Sequence, residues 1–313
     1  MSAEDFWAPR ETLINTYEDL AKVINEVFTR WESKKATFAW RGQPDASWPL
    51  HSSLYRRLLW TIGRPPTEDD LFQREDRILA SVHRWGLHVA PSSARLSVLN
   101  QLAALQHYGA PTRLVDVTFN PWIAAWFAVQ LRWRNGKSID AKVPARLFAV
   151  DVTDRLINER DDFRDWEDAL HRPWPKPGSR VRSRRQWMTQ VFAWKPARFD
   201  ARIAAQNGGF LLGGVPQSTG PSGLPVQWDK GDGKWWTIEQ VRRATSLALH
   251  PHKYDARRGG VRSGAVYSFR IADDAKREIR KRLERNFGYT RAALYPDFTG
   301  FALFGTPTLK SAP

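Results

Sequence analysis

Three clusters of polar residues along the 313-residue chain have the makings of a chemical site. The first is Trp40-Arg41-Gly42-Gln43, followed by Trp48-Pro49-Leu50 and Ser52-Ser53-Leu54. An arginine presents a planar fork that matches a phosphate bidentately, and a glycine beside it lets another backbone come close. At the end of a buried strand Arg41 would aim that fork into a cleft; paired with a local carboxylate it would be structural. Spacing alone favours neither reading. The second cluster is residues 105–121, LQHYGAPTRLVDVTFNP, which gathers His107, Tyr108, Arg113, Asp116 and Thr118 in one connection. Such loops carry function more often than the elements they join. Asp116, Thr118 and Asn120 alternate and would share one face of a strand. His107 is suited to general-base work if its pKa allows. In the bland reading Thr118 or Asn120 is a helix N-cap and Asp116 a partner for Arg113. The third cluster, residues 202–210, places Arg202 and Gln206 on one face of a helical turn, ahead of Gly208-Gly209. Alone it specifies no chemistry.

The elements that must position these residues follow from periodicity. Residues 11–31 have helical spacing, and residues 37–40 read as a buried strand that ends at Arg41-Gly42. Thr67 and Asp70 form a capping-box-like start for a helix to about His83. Residues 96–108 read as a helix stopped by Gly109, and Pro121 suits the first position of a buried helix through Leu131. Residues 145–152 and 266–271 read as strands, residues 210–212 as a short one, and residues 198–206 as a short helix. Residues 154–169 are acidic and read as a surface helix or loop. Residues 273–285 form a charged helix ending near Gly288. Residues 172–185 and 217–234 are irregular, Pro- and Gly-rich excursions. The pattern predicts an α+β chain: an N-terminal helical segment over residues 1–36, one main domain over 37–305, and a tail over 306–313.

Composition narrows the function classes. Lys and Arg total 48 against 33 Asp and Glu, a formal charge of +15, and there are no cysteines. The charge favours a polyanion, with nucleic acid (DNA or RNA) as the expected partner and an acidic protein as the alternative. Arg182, Arg184 and Arg185 in the basic excursion, with Arg113 and Arg202, are the candidate substrate-binding arginines. Trp235 and Trp236 are candidate stacking surfaces. Without cysteine there is no disulfide, thiolate nucleophile or Cys-ligated zinc. The first residues lack an apolar signal core, and no stretch approaches a membrane span, so a cytoplasmic location and no membrane partner are expected. His250 and His252, flanking Pro251, read as a solvated turn and not a metal site. No Walker loop, dinucleotide fingerprint, zincin pair or nucleophile elbow is present.

Together the three clusters resemble the FRG domain family, named for a Phe-Arg-Gly-like triplet that here reads Trp40-Arg41-Gly42. The signature continues as Gln-His-Tyr-Gly, Pro-Thr-Arg-Leu, Asp-x-Thr, Asn-Pro and Ala124-Ala125-Trp126-Phe127-Ala128. The Arg202 to Phe210 element and Leu294-Tyr295-Pro296-Asp297 are similar to its later segments. The order of elements also resembles a divergent ADP-ribosyltransferase with a split-sheet core and long basic loops. That resemblance implies NAD as co-substrate, held by Arg41, Gly42, Gln43, Tyr108 and Thr118, with Asp116, Gln206 and His107 as catalytic candidates and no metal. Such enzymes carry a glutamate in the third motif, where this chain has Gln206. A neutral amide cannot stabilise a developing cation as a carboxylate does, so Asp116 must supply the charge or transferase activity is lost. The resemblance implies a toxin or defence effector acting on nucleic acid, with an acidic antitoxin or immunity protein as a possible partner. The competing expectations are a non-catalytic nucleic-acid-binding module and a basic scaffold for an acidic protein.

Overall fold

The computed structural model describes residues 2–31, 36–90, 94–134, 137–138, 142–157, 164–174, 187–196, 200–220, 223–230, 233–255 and 264–305. Arg182, Arg184, Arg185 and the tail lie outside the described residues. In chain order the first elements are α1 (Ala3–Trp7), β1 (Thr12–Ile14), α2 (Tyr17–Trp31), β2 (Phe38–Gln43), α3 (Ser53–Ile62), α4 (Glu68–Arg84) and α5 (Val98–His107). There follow β3 (Val115–Thr118), α6 (Pro121–Val129), the short strands β4 (Trp133–Arg134) and β5 (Lys137–Ser138), β6 (Ala145–Asp151) and α7 (Arg164–Asp168). The chain continues through β7 (Val191–Trp194), α8 (Ala201–Ala205), β8 (Gly208–Gly213), α9 (Ile238–Ala244), β9 (His250–His252), β10 (Ala265–Ile271), α10 (Ala275–Phe287) and α11 (Arg291–Leu294).

The fold is α+β. Its eight-stranded sheet runs β1-β10-β6-β2-β3-β8-β7, with β9 also beside β10. The β1–β10 and β9–β10 pairs are parallel; the other pairs in the sheet are antiparallel. Alternation along β6 sorts side chains onto two faces, as a period of two requires. Leu147 and Ala149 join a core with α2, α6 and α10, whereas Phe148 and Val150 join one with Phe6, Trp7 and Leu247. A third core, with Leu99, Leu102, Trp187 and Trp194, lies where α4 and α5 meet β7 and β8.

The caps behave as their chemistry dictates. Thr67 and Asp70 form a capping box on α4, Asn120 caps α6 with Pro121 at its first position, and Gly288 ends α10 at φ 68°. The first expected helix is shorter than periodicity suggests, because Thr12–Ile14 leaves it to pair with β10. Phe6 and Trp7 are also buried, so the N-terminal segment is continuous with the main sheet. The expected turn at His250 is strand β9. Its imidazole stacks on Trp228 with centroids 4.9 Å apart, and burial pushes its pKa down to about 4. Among the described residues, no helix is long and apolar enough to cross a membrane.

One junction in the sheet is thin. β2 pairs with β6 over six residues, Phe38 to Gln43, but with β3 at the single pair Trp40 and Thr118. Beyond that pair the two strands part, and a cavity occupies the opening.

Candidate functional site

The cavity measures about 390 Å³ and draws walls from all three sequence clusters: Arg41, Gly42 and Gln43; Gln106, His107, Asp116 and Thr118; and Arg202, Gln206 and Gly208. Its size falls in the ~300–1,000 Å³ range of small-molecule sites. Arg41 lies inside β2, one residue past the pairing with β3, whereas the sequence pattern ends the strand at Arg41-Gly42. Its Nη1 donates to the backbone carbonyl of Asp116, tying the parted strands together. Its Nε is buried without a partner. Burial lowers the guanidinium pKa, the Asp116 charge opposes that, and Arg56 adds to it.

Gly42 serves packing. A Cβ there would stand 1.9 Å from the Ala124 carbonyl oxygen and 2.5 Å from the Ala128 nitrogen, so α6 lies directly on this glycine. Gln43 is buried, and its Nε2 donates to the Pro49 carbonyl at 3.2 Å. Both residues form wall more than binding surface.

Asp116 is exposed to the opening. Its Oδ2 accepts from Gln106 Nε2 at 3.1 Å, while Gln106 Oε1 accepts from Thr112 Oγ1 at 2.7 Å. Gln106 therefore orients Asp116, a role that its place in the second cluster could have suggested. His107 turns Nδ1 toward Asp200 Oδ2 at 3.3 Å. Asp200 is the N-cap of α8, accepting from Ile203 N at 2.8 Å, and nothing local in the sequence links it to a histidine 93 residues earlier. Arg132 also reaches the wall and lies over the Trp48 ring at 4.1 Å.

Several expected roles change. Thr118 is a tie: its Oγ1 donates to the Gln206 carbonyl at 2.6 Å and accepts from Asn120 N at 3.0 Å. Gln206 donates its Nε2 to the Leu294 carbonyl at 2.8 Å. Arg202 grips Asp297 with both Nε and Nη2 at 2.8 Å, beneath Tyr295, and this fork holds the Asp297 carboxyl below the usual range. The fork expected for substrate is thus engaged by the closing segment. Tyr108, expected at the cofactor, is 82% exposed and is absent from the cavity wall.

Arg113 is the clearest correction. It is 1% exposed, bonded by Nε to Glu75 at 2.6 Å and by Nη1 to Glu68 at 3.2 Å. The Trp174 and Trp187 rings lie 5.1 and 5.4 Å from its guanidinium carbon. Such a charge reaches no substrate; it knits α4 to the core.

This is a mixed α/β fold with a polar cavity where its central sheet opens. Residues 36–136 match the family model of the FRG domain. The match takes in β2 and the second cluster through α6, and ends before the third cluster. No curated protein and no solved structure matches the chain.

Proposed function

We propose that the cavity binds NAD and that the chain is an ADP-ribosyltransferase-like protein whose acceptor is nucleic acid. The observation that carries this reading is the convergence of Arg41, His107 and Asp116, from two separated clusters, on the opening between β2 and β3. The donor set suits such a ligand. Arg41 and Arg132 offer positive charge to a pyrophosphate, and Asp116 and Asp200 offer negative charge to a cationic pyridinium ribose.

When bound, NAD supplies the ADP-ribosyl group, whose bond to nicotinamide weakens as positive charge builds on the ribose. Arg41 presents its guanidinium to the anionic part of the ligand, held in place by its bond to the Asp116 carbonyl. The Asp116 carboxylate, held by Gln106, is the group that would stabilise developing positive charge. Gln206 cannot do so, being neutral and bonded to Leu294. His107, whose Nδ1 lies 3.3 Å from Asp200 Oδ2, is the group that would take a proton from an acceptor at Nε2.

A second reading, a nucleic-acid-binding module without catalysis, is favoured by Gln206 standing where the resemblance expects a glutamate. Titration calorimetry with NAD separates the two. Under the first reading the wild type binds NAD, and Arg41→Gln weakens that binding at least about tenfold, the ~1.4 kcal/mol scale of one lost charged hydrogen bond. A folded wild type that binds oligonucleotide and gives no heat with NAD establishes the second.

A further inference from the structure

Helices α3, α4 and α5 carry a surface that the cavity does not use. On α3, Arg56, Arg57 and Trp60 face solvent, and Trp60 keeps 72% of its surface. Arg56 is 6.0 Å from the Trp60 ring centroid, one helical turn away. Arg57 donates to the Gly109 carbonyl at 3.3 Å, which sets α3 against the turn that ends α5. Next to it, the exposed Tyr108 packs edge-on against His107 with centroids 5.0 Å apart, and His107 is a cavity wall. Arg74 and Arg77 of α4 and the 81%-exposed Trp85 that caps its C-terminus border a hollow of about 390 Å³ that reaches Leu105 of α5. Leu105 lies in the last turn of α5, three residues before its C-cap Tyr108.

Among the described residues, these arginines have no ion-pair partner on α4. The carboxylates of α4 are taken by other residues: Glu68 and Glu75 by Arg113, Asp70 by Arg64, and Asp76 by Arg172. Asp69 is also engaged. Among the described residues, Arg56, Arg57, Arg74 and Arg77 form no ion pair with any of them.

We propose that this face, from Trp60 and Trp85 to Tyr108, is a binding track for a single strand of nucleic acid and leads one nucleotide to the cavity mouth at His107. Delivery to the cavity rests on the transferase reading above; the track itself does not. Flat rings in water offer stacking platforms to any base, and the arginines between them meet the phosphates. A duplex hides its base faces and leaves the rings unused. An acidic protein would match the arginines but gives three solvent-facing aromatics nothing to stack on.

The test is fluorescence anisotropy, without NAD, of a labelled single-stranded oligonucleotide of about 20 nucleotides, longer than one ~4–16-nucleotide site. Trp60→Ala and Trp85→Ala should each weaken binding by about 5- to 150-fold, the range measured for one stacked base. Arg57→Gln and Arg77→Gln should each lower the slope of log affinity against log salt by about one. A double Arg277→Gln, Lys281→Gln variant on α10 removes two charges, twice as many as either single arginine variant, from an exposed face elsewhere and should change little. Three results overturn the proposal: equal losses in the α10 control, duplex bound more tightly than single strand, or polyglutamate bound more tightly than either. NAD titrations on the same variants keep the questions apart. Oligonucleotide binding with these dependences and no heat from NAD leaves the track standing and removes the cavity reading.

Discussion

Arg41 on β2 donates a hydrogen bond to the main-chain carbonyl of Asp116 on β3, one residue past the point where the two strands cease to pair. A side chain thus continues a connection that the backbone ladder has given up. The same residue that braces the opening also lines it.

Gly42→Ala should destabilise the protein by more than the ~1–3 kcal/mol of ordinary overpacking, because the new methyl meets backbone at 1.9 Å and not a movable side chain. Urea unfolding followed by tryptophan fluorescence measures this. A wild-type midpoint would mean that α6 does not rest on β2 as described.

Much of this arrangement can be read from the sequence. Asn120-Pro121 announces α6, Thr67 and Asp70 announce α4, and the apolar run at 145–152 announces a central strand. Other parts cannot be read, for physical reasons. Leu13 and Ile14 fit a helix and a strand equally, and the break lies at Thr16, whose Oγ1 accepts from Asp19 N at 3.0 Å while Asp19 Oδ2 accepts from Thr16 N at 3.1 Å. Arg41 and Arg113 look alike in sequence. One borders a cavity and the other is buried because Glu68 and Glu75, 45 and 38 residues earlier, fold over it. Gly42 reads as a ligand-facing glycine until α6 is seen against it.

Glu75→Gln should cost about 1.5–3 kcal/mol, the scale of one charged hydrogen bond, because Glu68 still pairs with Arg113. It leaves Arg113 with a weaker partner at Nε and also disturbs the bond from Trp174 Nε1 to Glu75 at 3.1 Å. The unfolding midpoint in urea reports it, and an unchanged midpoint would contradict the structural role assigned to Arg113.

Thr118→Val keeps the shape but removes the hydroxyl shared by the Gln206 carbonyl and Asn120 N–H. A loss of about 1–3 kcal/mol in stability is expected from the two unpaired backbone groups. Ligand affinity of the folded fraction should change little. Full stability with lost affinity would return Thr118 to a binding role.

Stability should fall as the medium is acidified below neutrality. His51 is buried against the Arg242 carbonyl at 3.0 Å, and its pKa is pushed down to about 4, chiefly by desolvation. In the unfolded chain it titrates near ~6.5. Above that value neither state is protonated and the group contributes its full stability. As pH falls from 6.5 toward 4 the unfolded state takes up the proton first, so stability is lost, about 2 kcal/mol by about pH 5. His250 acts in the same direction. Urea midpoints at pH 7 and 5 should converge in His51→Gln relative to wild type; parallel slopes would show that His51 titrates normally.

The most direct test of the cavity's role is transfer of label from NAD to single-stranded nucleic acid, comparing wild type with Asp116→Asn. The amide keeps the shape and, through Oδ1, an acceptor for Gln106, but removes the charge. Labelled nucleic acid from the wild type, reduced at least about 100-fold in Asp116→Asn while NAD still binds, is the predicted result, the ~2.7 kcal/mol expected of one electrostatic catalytic group. Equal transfer by both proteins, or none by a wild type that binds NAD, would contradict the assignment of Asp116 and with it the account of this cavity as a transferase site.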